Sequence, residues 1–247
     1  MNKKEIKGSH VLIIGSGSTL LDYDKEIKYF IKNNDVITFG CNNMHHILTP
    51  DYHFWTDKSR YKKFGKNMSK KSIAVFSSVF NKKLISKHWN RKYLNFTYKN
   101  RKPKDIYTLP KIKYKNKIMY GRFRTVGSIS IFYAYIKKAS KISVVGMDGY
   151  TLYSEKDLED KNNRQHCYGE KGYTDLSKKE INQKLQKNKE KIKSFYEFER
   201  TKDIQIYKCL EALSEYGINF EILTPTVYKK FYNYEIFKKM IINKEKE

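Results

Sequence analysis

Apolar residues arrive in short runs that stop on small or polar ones. Val11-Leu-Ile-Ile14 runs into Gly15-Ser-Gly-Ser18, and apolar positions resume at Leu20, Leu21, Ile27, Phe30 and Ile31. An unbroken apolar run of this length predicts a strand covered on both faces, and the later spacing predicts an amphipathic helix. The stretch therefore reads as strand, turn and helix, with the helix opening at Thr19 and closing on Asn33-Asn34-Asp35. Residues 36–39 predict a second strand that ends at Gly40-Cys-Asn-Asn43, residues 52–55 a third that closes on Thr56-Asp57, and residues 73–76 a fourth. From 81 to 117, Lys, Asn and Tyr accumulate without periodicity, which predicts irregular structure or an excursion. Residues 129–136 predict a buried helix, and residues 140–145 a strand delivering Gly146-Met-Asp148 and Tyr150. Residues 176–193 read as a charged helix with few apolar anchors. An amphipathic helix over 204–216 is closed by Gly217, and residues 219–223 form the last strand.

Strands alternating with helices predict an α/β fold, a Rossmann-like and mostly parallel sheet flanked by helices, with a small lid. The expected division is a nucleotide-binding core over 1–150, a lid or oligomer-contact segment over 151–200, completion of the core over 201–232, and a basic tail over 233–247. In such sheets ligands sit at the carboxyl ends of the strands. Gly15, Ser16, Gly17 and Ser18, Asn42, Asp57 and Asp148 all fall there. Gly15 and Gly17 remove the Cβ atoms that would hold a phosphate off the backbone, and the N–H groups of the helix start add partial positive charge. A bare strand-turn-helix junction explains the same glycines. The loop reads G-x-G-x-x-L, without the third glycine of the dinucleotide fingerprint or the Lys-Ser/Thr of a Walker loop.

Composition narrows the classes. Hydrophobic residues make up 39% of 247 residues and aromatics 15%, which excludes a disordered chain. The mean hydropathy of −0.76 must then come from a very polar surface. A net charge of +25 suggests a polyanionic partner: nucleic acid, anionic lipid or a negatively charged substrate. The lysines are scattered among abundant Asn, Ile and Tyr, as codon bias produces, and no nucleic-acid motif accompanies them, so nucleic acid is not the expected partner. Cys41, Cys167 and Cys209 stand far apart, against a disulfide scaffold or zinc knuckle and in keeping with a reducing cytosol. The opening Met-Asn-Lys-Lys-Glu does not read as a secretory signal, and no apolar run approaches the ~20 residues that cross a bilayer. A cytoplasmic location is expected. The tail, where Ile236-Phe-Lys-Lys-Met-Ile-Ile mixes bulky apolar residues with lysine, is either a helix packed on the domain or a contact with the anionic inner face of a membrane. Asp22-Tyr-Asp24 is formally D-x-D but lies in the early helix rather than at a strand end, so it reads as surface charge and no metal site is expected.

Several short motifs, taken in order, resemble the bacterial sialyltransferases of glycosyltransferase family 42, which decorate lipooligosaccharides. They are Gly15-Ser-Gly-Ser-Thr-Leu20, Cys41-Asn-Asn43, Arg124-Thr-Val-Gly-Ser128, Val145-Gly-Met-Asp-Gly-Tyr150, and Thr201-Lys-Asp-Ile204 opening a helix that leads to Ile222-Leu-Thr-Pro225. The resemblance implies a metal-independent, inverting transferase, usually tetrameric, with a CMP-activated sugar as co-substrate and no other cofactor. It implies that the glycine loop faces the nucleotide, that Asn42 contacts the cytidine, and that Thr125, Val126 and Gly127 line the donor site. Tyr150 and Tyr153 would donate hydrogen bonds to the departing phosphate.

The family's histidine base, a few residues before its Thr-Asp-Ile, has no counterpart in Phe195-Tyr-Glu-Phe-Glu-Arg200. Glu197 or Glu199 with a raised pKa, His166 of Arg164-Gln-His-Cys-Tyr168, and Asp57 are the alternatives. Two other functions compete. A 6-hydroxymethylpterin diphosphokinase-like enzyme would need ATP, Mg²⁺ and carboxylates converging on the phosphates, with Asp57 and Asp148 as the obvious pair. A nucleic-acid-binding protein would owe its affinity to the +25 charge.

Overall fold

The computed structural model describes residues 5–44, 47–101, 103–152, 166–167 and 194–244, together with Gln183 and Gln186. Its strands are β1 (His10–Ile14), β2 (Val36–Cys41), β3 (Tyr52–Trp55), β4 (Ile73–Ser77), β5 (Leu94–Asn100), β6 (Lys113–Lys115), β7 (Ile118–Gly121), β8 (Lys141–Val145) and β9 (Glu221–Ile222). They form one sheet in the order β6-β7-β5-β4-β3-β2-β1-β8-β9. Every neighbouring pair is parallel except β6 with β7, and β1 is flanked on both sides, Val11 lying opposite Ile37 and Ile142. Among the described residues, the α-helices with defined bounds are α1 (Thr19–Asp22), α2 (Asp24–Asn33), α3 (Lys58–Phe64), α4 (Lys82–Ile85), α5 (Val126–Ile136), α6 (Phe195–Glu215) and α7 (Tyr234–Lys244). The chain is thus an α/β protein of the Rossmann-like kind. Among the described residues no helix is long and apolar enough to cross a membrane.

The continuous apolar runs follow from burial of the sheet on both faces. Along β1, Val11 and Ile13 point into one core with α5 and α6, while Leu12 and Ile14 point into the other, with Leu20, Ile27 and Met240. Helix α5 is apolar almost all round because it is sandwiched between the sheet and α6. At the centre of its core Phe54 packs on Phe39, Phe96 and Tyr133, with ring centroids 4.9, 6.0 and 5.2 Å away. A third cluster holds Trp55, Tyr61, Phe76 and Trp89 beneath α3 and α4.

The structure departs from the sequence reading in several places. Residues 81–117 contain α4, β5 and β6, and β5 is a full member of the sheet, Phe76 pairing with Asn95. Its period-two pattern buries Phe96 and half-buries Leu94 and Tyr98, while Asn95 and Lys99 face solvent and mask it. Helix α6 begins at Phe195, so Thr201 to Ile204 lie inside it rather than at its opening; Gly217, at a φ of 90°, ends it as expected. The first helix breaks at Tyr23, whose ring meets Phe237 edge-on at 4.8 Å. Phe237 and Met240 of α7 are buried, and α7 packs on α2, so these apolar positions serve the domain. Asp24 pairs with Lys28 on the surface at 2.7 Å, in line with its reading as surface charge. Most of the expected lid lies outside the described residues; of the helix expected at 176–193, Gln183 and Gln186 are described, and both are helical.

Truncating the centre of the aromatic core tests this packing. Phe54→Ala is expected to lower the unfolding free energy by about 3–5 kcal/mol, measured by urea denaturation, because the parallel strands around it cannot collapse into the space.

Candidate functional site

The chain leaves β1 toward β2 and returns through α5 into β8 on the other side of β1, so the direction of winding reverses between β1 and β8. At such a reversal the connections diverge and a crevice opens at the carboxyl ends of the strands. A cleft of about 290 Å³ occupies it. Gly15, Ser16 and Gly17 form one wall, with Cys41 at the end of β2, Asn42 just past it, and Thr56 and Asp57 after β3. Thr125, Val126 and Gly127 at the start of α5, Gly146 to Tyr150 after β8, and His166 complete most of the rest. These residues are up to 151 positions apart in sequence, and the winding of the sheet brings them to one edge.

The glycines are needed for a reason other than the expected one. Gly15 N donates to Val145 O at 2.8 Å and Gly17 N to Gly146 O at 2.9 Å. A Cβ on Gly15 would stand 2.2 Å from Gly146 O, and one on Gly17 2.3 Å from Asp148 Oδ2. The missing side chains make room for the β8 loop. The first N–H groups of α1 are also engaged: Thr19 N donates to Asp148 Oδ2 at 2.9 Å, Leu20 N to Gly17 O and Leu21 N to Ser18 O. Ser18 turns inward, its hydroxyl donating to Asp148 Oδ2 at 3.4 Å, and does not line the cleft. Asp148 is 3% exposed, and burial pushes its carboxyl up to about 7 against the hydroxyl and N–H of Thr19.

The helix start that does face the cleft is that of α5. Thr125 caps it, its Oγ1 accepting from Ser128 N at 3.1 Å, and Ile129 N donates to Thr125 O. Val126 and Gly127, the first two helical residues, lie on the cleft wall, so the positive end of an eleven-residue helix points into it. Beside it stand Arg60 of α3, not singled out from the sequence, and Arg124, quoted there within a motif but given no role. Both guanidinium groups act on the Tyr150 phenol. Burial pushes that phenol up to about 12, Glu199 and Asp203 add to the rise, and the two arginines oppose it.

Asp203, quoted from the sequence within Thr201-Lys-Asp-Ile204, is given no role there. It is 6% exposed in the middle of α6 and accepts from Tyr150 N at 2.9 Å, Thr151 N at 2.8 Å, the Thr151 hydroxyl at 2.7 Å and the Tyr228 hydroxyl at 2.9 Å. Its signal was present: Asp203 falls on the same helical face as Ile206, Leu210 and Leu213, where an acid is out of place unless it is paired.

The remaining candidates divide. Asn42, at a φ of 56°, lines the cleft; its backbone oxygen accepts from the His53 ring, and its buried side-chain Oδ1 has no hydrogen-bond partner among the described residues. Asp57 also lines the cleft, but its Oδ1 caps α3, accepting from Ser59 N at 2.7 Å, the Ser59 hydroxyl at 2.6 Å and Arg60 N at 3.1 Å. Burial pushes the Asp57 carboxyl up, yet these bonds outweigh it and hold the group below its ordinary value. Glu199 is 1% exposed, does not line the cleft, and holds Lys202 Nζ with both oxygens at 2.6 Å. His166 meets the Tyr150 ring edge-on at 6.0 Å. Tyr153 lies outside the described residues. No protein-family model matches the chain, and no curated sequence matches it.

The raised carboxyl of Asp148 has a measurable consequence. Between its unfolded value near 3.8 and its folded value of about 7 the native state binds the extra proton, so stability falls as pH rises through that window and levels off above it. Comparing wild type with Asp148→Asn by urea denaturation from pH 4 to 8, the wild type is expected to lose on the order of 4 kcal/mol more than the variant across the window.

Proposed function

We propose that the chain is a glycosyltransferase, metal-independent and inverting, that moves a sialic-acid-like sugar from a CMP-activated donor to a cell-surface glycan acceptor such as lipooligosaccharide. The observation that carries this proposal is the convergence of Arg60, Arg124, Tyr150 and the open start of α5 on the cleft at the sheet's reversal point. In the transfer, an acceptor hydroxyl attacks the anomeric carbon and the bond from that carbon to the phosphate oxygen breaks. The phosphate keeps the bonding electrons and gains charge as it leaves. Two planar guanidinium groups, the Val126 and Gly127 N–H groups and a phenol are donors suited to that charge. The buried Oδ1 of Asn42 is an acceptor suited to the exocyclic amine of a cytosine.

The ATP- and Mg²⁺-dependent alternative is less well supported. It needs Asp57 and Asp148 to turn toward a metal-bound phosphate, and each is instead engaged by the protein's own donors, Asp57 at the cap of α3 and Asp148 at Thr19. The wider setting belongs to the same proposal: a cytoplasmic enzyme, homo-oligomeric and tetrameric by the resemblance, associated at most with the inner face of the membrane.

A thermal-shift panel distinguishes the two chemistries. CMP at 100 times its Kd is expected to stabilise the protein by about 2.7 kcal/mol, and Arg124→Ala to remove most of that shift. A larger shift with ATP and Mg²⁺ than with CMP would overturn the assignment. Tyr150→Phe is expected to lower kcat for CMP release by about 10²-fold while KM changes little, since the phenol acts on charge that develops only as the bond breaks.

A further inference from the structure

A hydroxyl nucleophile needs a group to take its proton, and most acceptors in and around the cleft are already committed. Asp57 Oδ1 receives three hydrogen bonds at the cap of α3, both oxygens of Asp148 are held by Thr19, and both oxygens of Glu199 hold Lys202. The Cys41 thiol, beside the Ser130 hydroxyl at 3.6 Å, is pushed up to about 12 by burial. The phenols of Tyr98, Tyr150 and Tyr228 are all raised by burial and stay protonated.

His166 differs in chemistry and in how it is placed. Its neighbour Cys167 is 2% exposed, sunk among Leu12, Ile14 and Met44. Cys167 N donates to Ser16 O of the glycine loop at 3.0 Å, and its thiol reaches Asn43 O at 3.9 Å. Cys167, fixed in the core, holds the backbone of the adjacent residue beside the cleft. The imidazole of His166 accordingly stands on the cleft wall, edge-on to Tyr150.

We propose that His166 is the general base of the transfer, held in the cleft by the burial of Cys167 against the glycine loop. This rests on the nucleotide-sugar assignment above. The acceptor oxygen forms the new bond to the anomeric carbon, its proton passes to an imidazole nitrogen, and the bond to phosphate breaks with its electron pair leaving on CMP. An imidazole ordinarily titrates near neutrality, so it accepts this proton at working pH and returns it to solvent. Among the described residues, the titratable and charged groups around the Tyr150–His166 pair are Asp148 from the β8 loop, Asp57 and Arg60 at the start of α3, Arg124 before α5, Glu199, Lys202 and Asp203 of α6, and the Tyr228 phenol.

The test uses the full chain and CMP-N-acetylneuraminic acid with water as acceptor, following CMP release. His166→Ala is expected to lower kcat by about 10²- to 10⁴-fold, to leave CMP affinity by calorimetry within about twofold, and to regain activity with added imidazole. The acidic limb of the kcat profile is expected to vanish in His166→Gln. Wild-type turnover with His166→Ala unimpaired, or equal loss of turnover and CMP binding without imidazole rescue, overturns the base assignment and leaves the transferase standing. A wild-type chain that neither binds CMP nor releases it overturns both.

Discussion

Everything at the cleft depends on two backbone loops touching with no side chain between them. Gly15 and Gly17 lie against Gly146 and Asp148 so closely that a Cβ on either would overlap its neighbour. Gly146 itself adopts a φ of 66°, and a Cβ there would meet Leu20 Cγ at 2.7 Å. The contact locks the end of β1 to the end of β8 and fixes the direction in which each loop leaves the sheet. From it follow the entry of α1, the position of the Ser16 carbonyl that anchors Cys167, and the position of Tyr150 two residues past the buried Asp148. A side chain inserted at this crossing would part the two strand ends at the point where the cleft opens.

Tyr150 is gripped from a second direction. Asp203 reaches from α6 to the Tyr150 and Thr151 N–H groups, and Tyr228 donates to the same carboxylate. A buried carboxylate is costly unless its lone pairs are filled, and this one is filled largely by the backbone it organises. Burial still raises the Asp203 pKa, against the hydrogen bonds of Thr151, Tyr150 and Tyr228. The segment that presents Tyr150 is thus stretched between two buried acids on opposite sides of the sheet edge, Asp148 and Asp203. In the proposed transfer, rigidity of this kind would hold the Tyr150 phenol where charge develops, without reorganisation at the moment of reaction.

The central strands were legible because burial on both faces leaves them mostly apolar: Val11 to Ile14 carry no polar residue, and Val36 to Phe39 only Thr38. β5 was not, because Asn95, Thr97 and Lys99 on its outer face merge with the lysine-rich stretch around it. The start of α6 was hidden for a related reason, since Phe195 to Arg200 alternates aromatic and charged residues and shows no clean stripe. At the site, position was easier to read than role. Strand ends placed Gly15, Asn42, Asp57 and Asp148 on one edge, but only the structure reveals that Asp57 caps a helix and that the glycines make way for the β8 loop. Asp203 and Arg60 act through contacts remote in sequence, which local patterns do not record.

The strong positive charge of the chain also takes on a narrower meaning. Lysine outnumbers arginine 44 to 7 in the sequence, as expected where composition rather than function sets the surface. The cleft inverts that ratio: among the described residues its wall carries Arg60 and Arg124 and no lysine. An ammonium is a strongly hydrated point charge, whereas a guanidinium offers a fixed planar fork matched to phosphate and carboxylate oxygens. Arg122, two residues from Arg124, is itself held below its ordinary value by burial and by that neighbouring charge. Under the proposed function, an anion in the cleft would offset this crowding of positive charge. Under the proposed function the charge that acts is this small arginine group set against the start of α5, and the scattered lysines contribute to the long-range field of the chain around it.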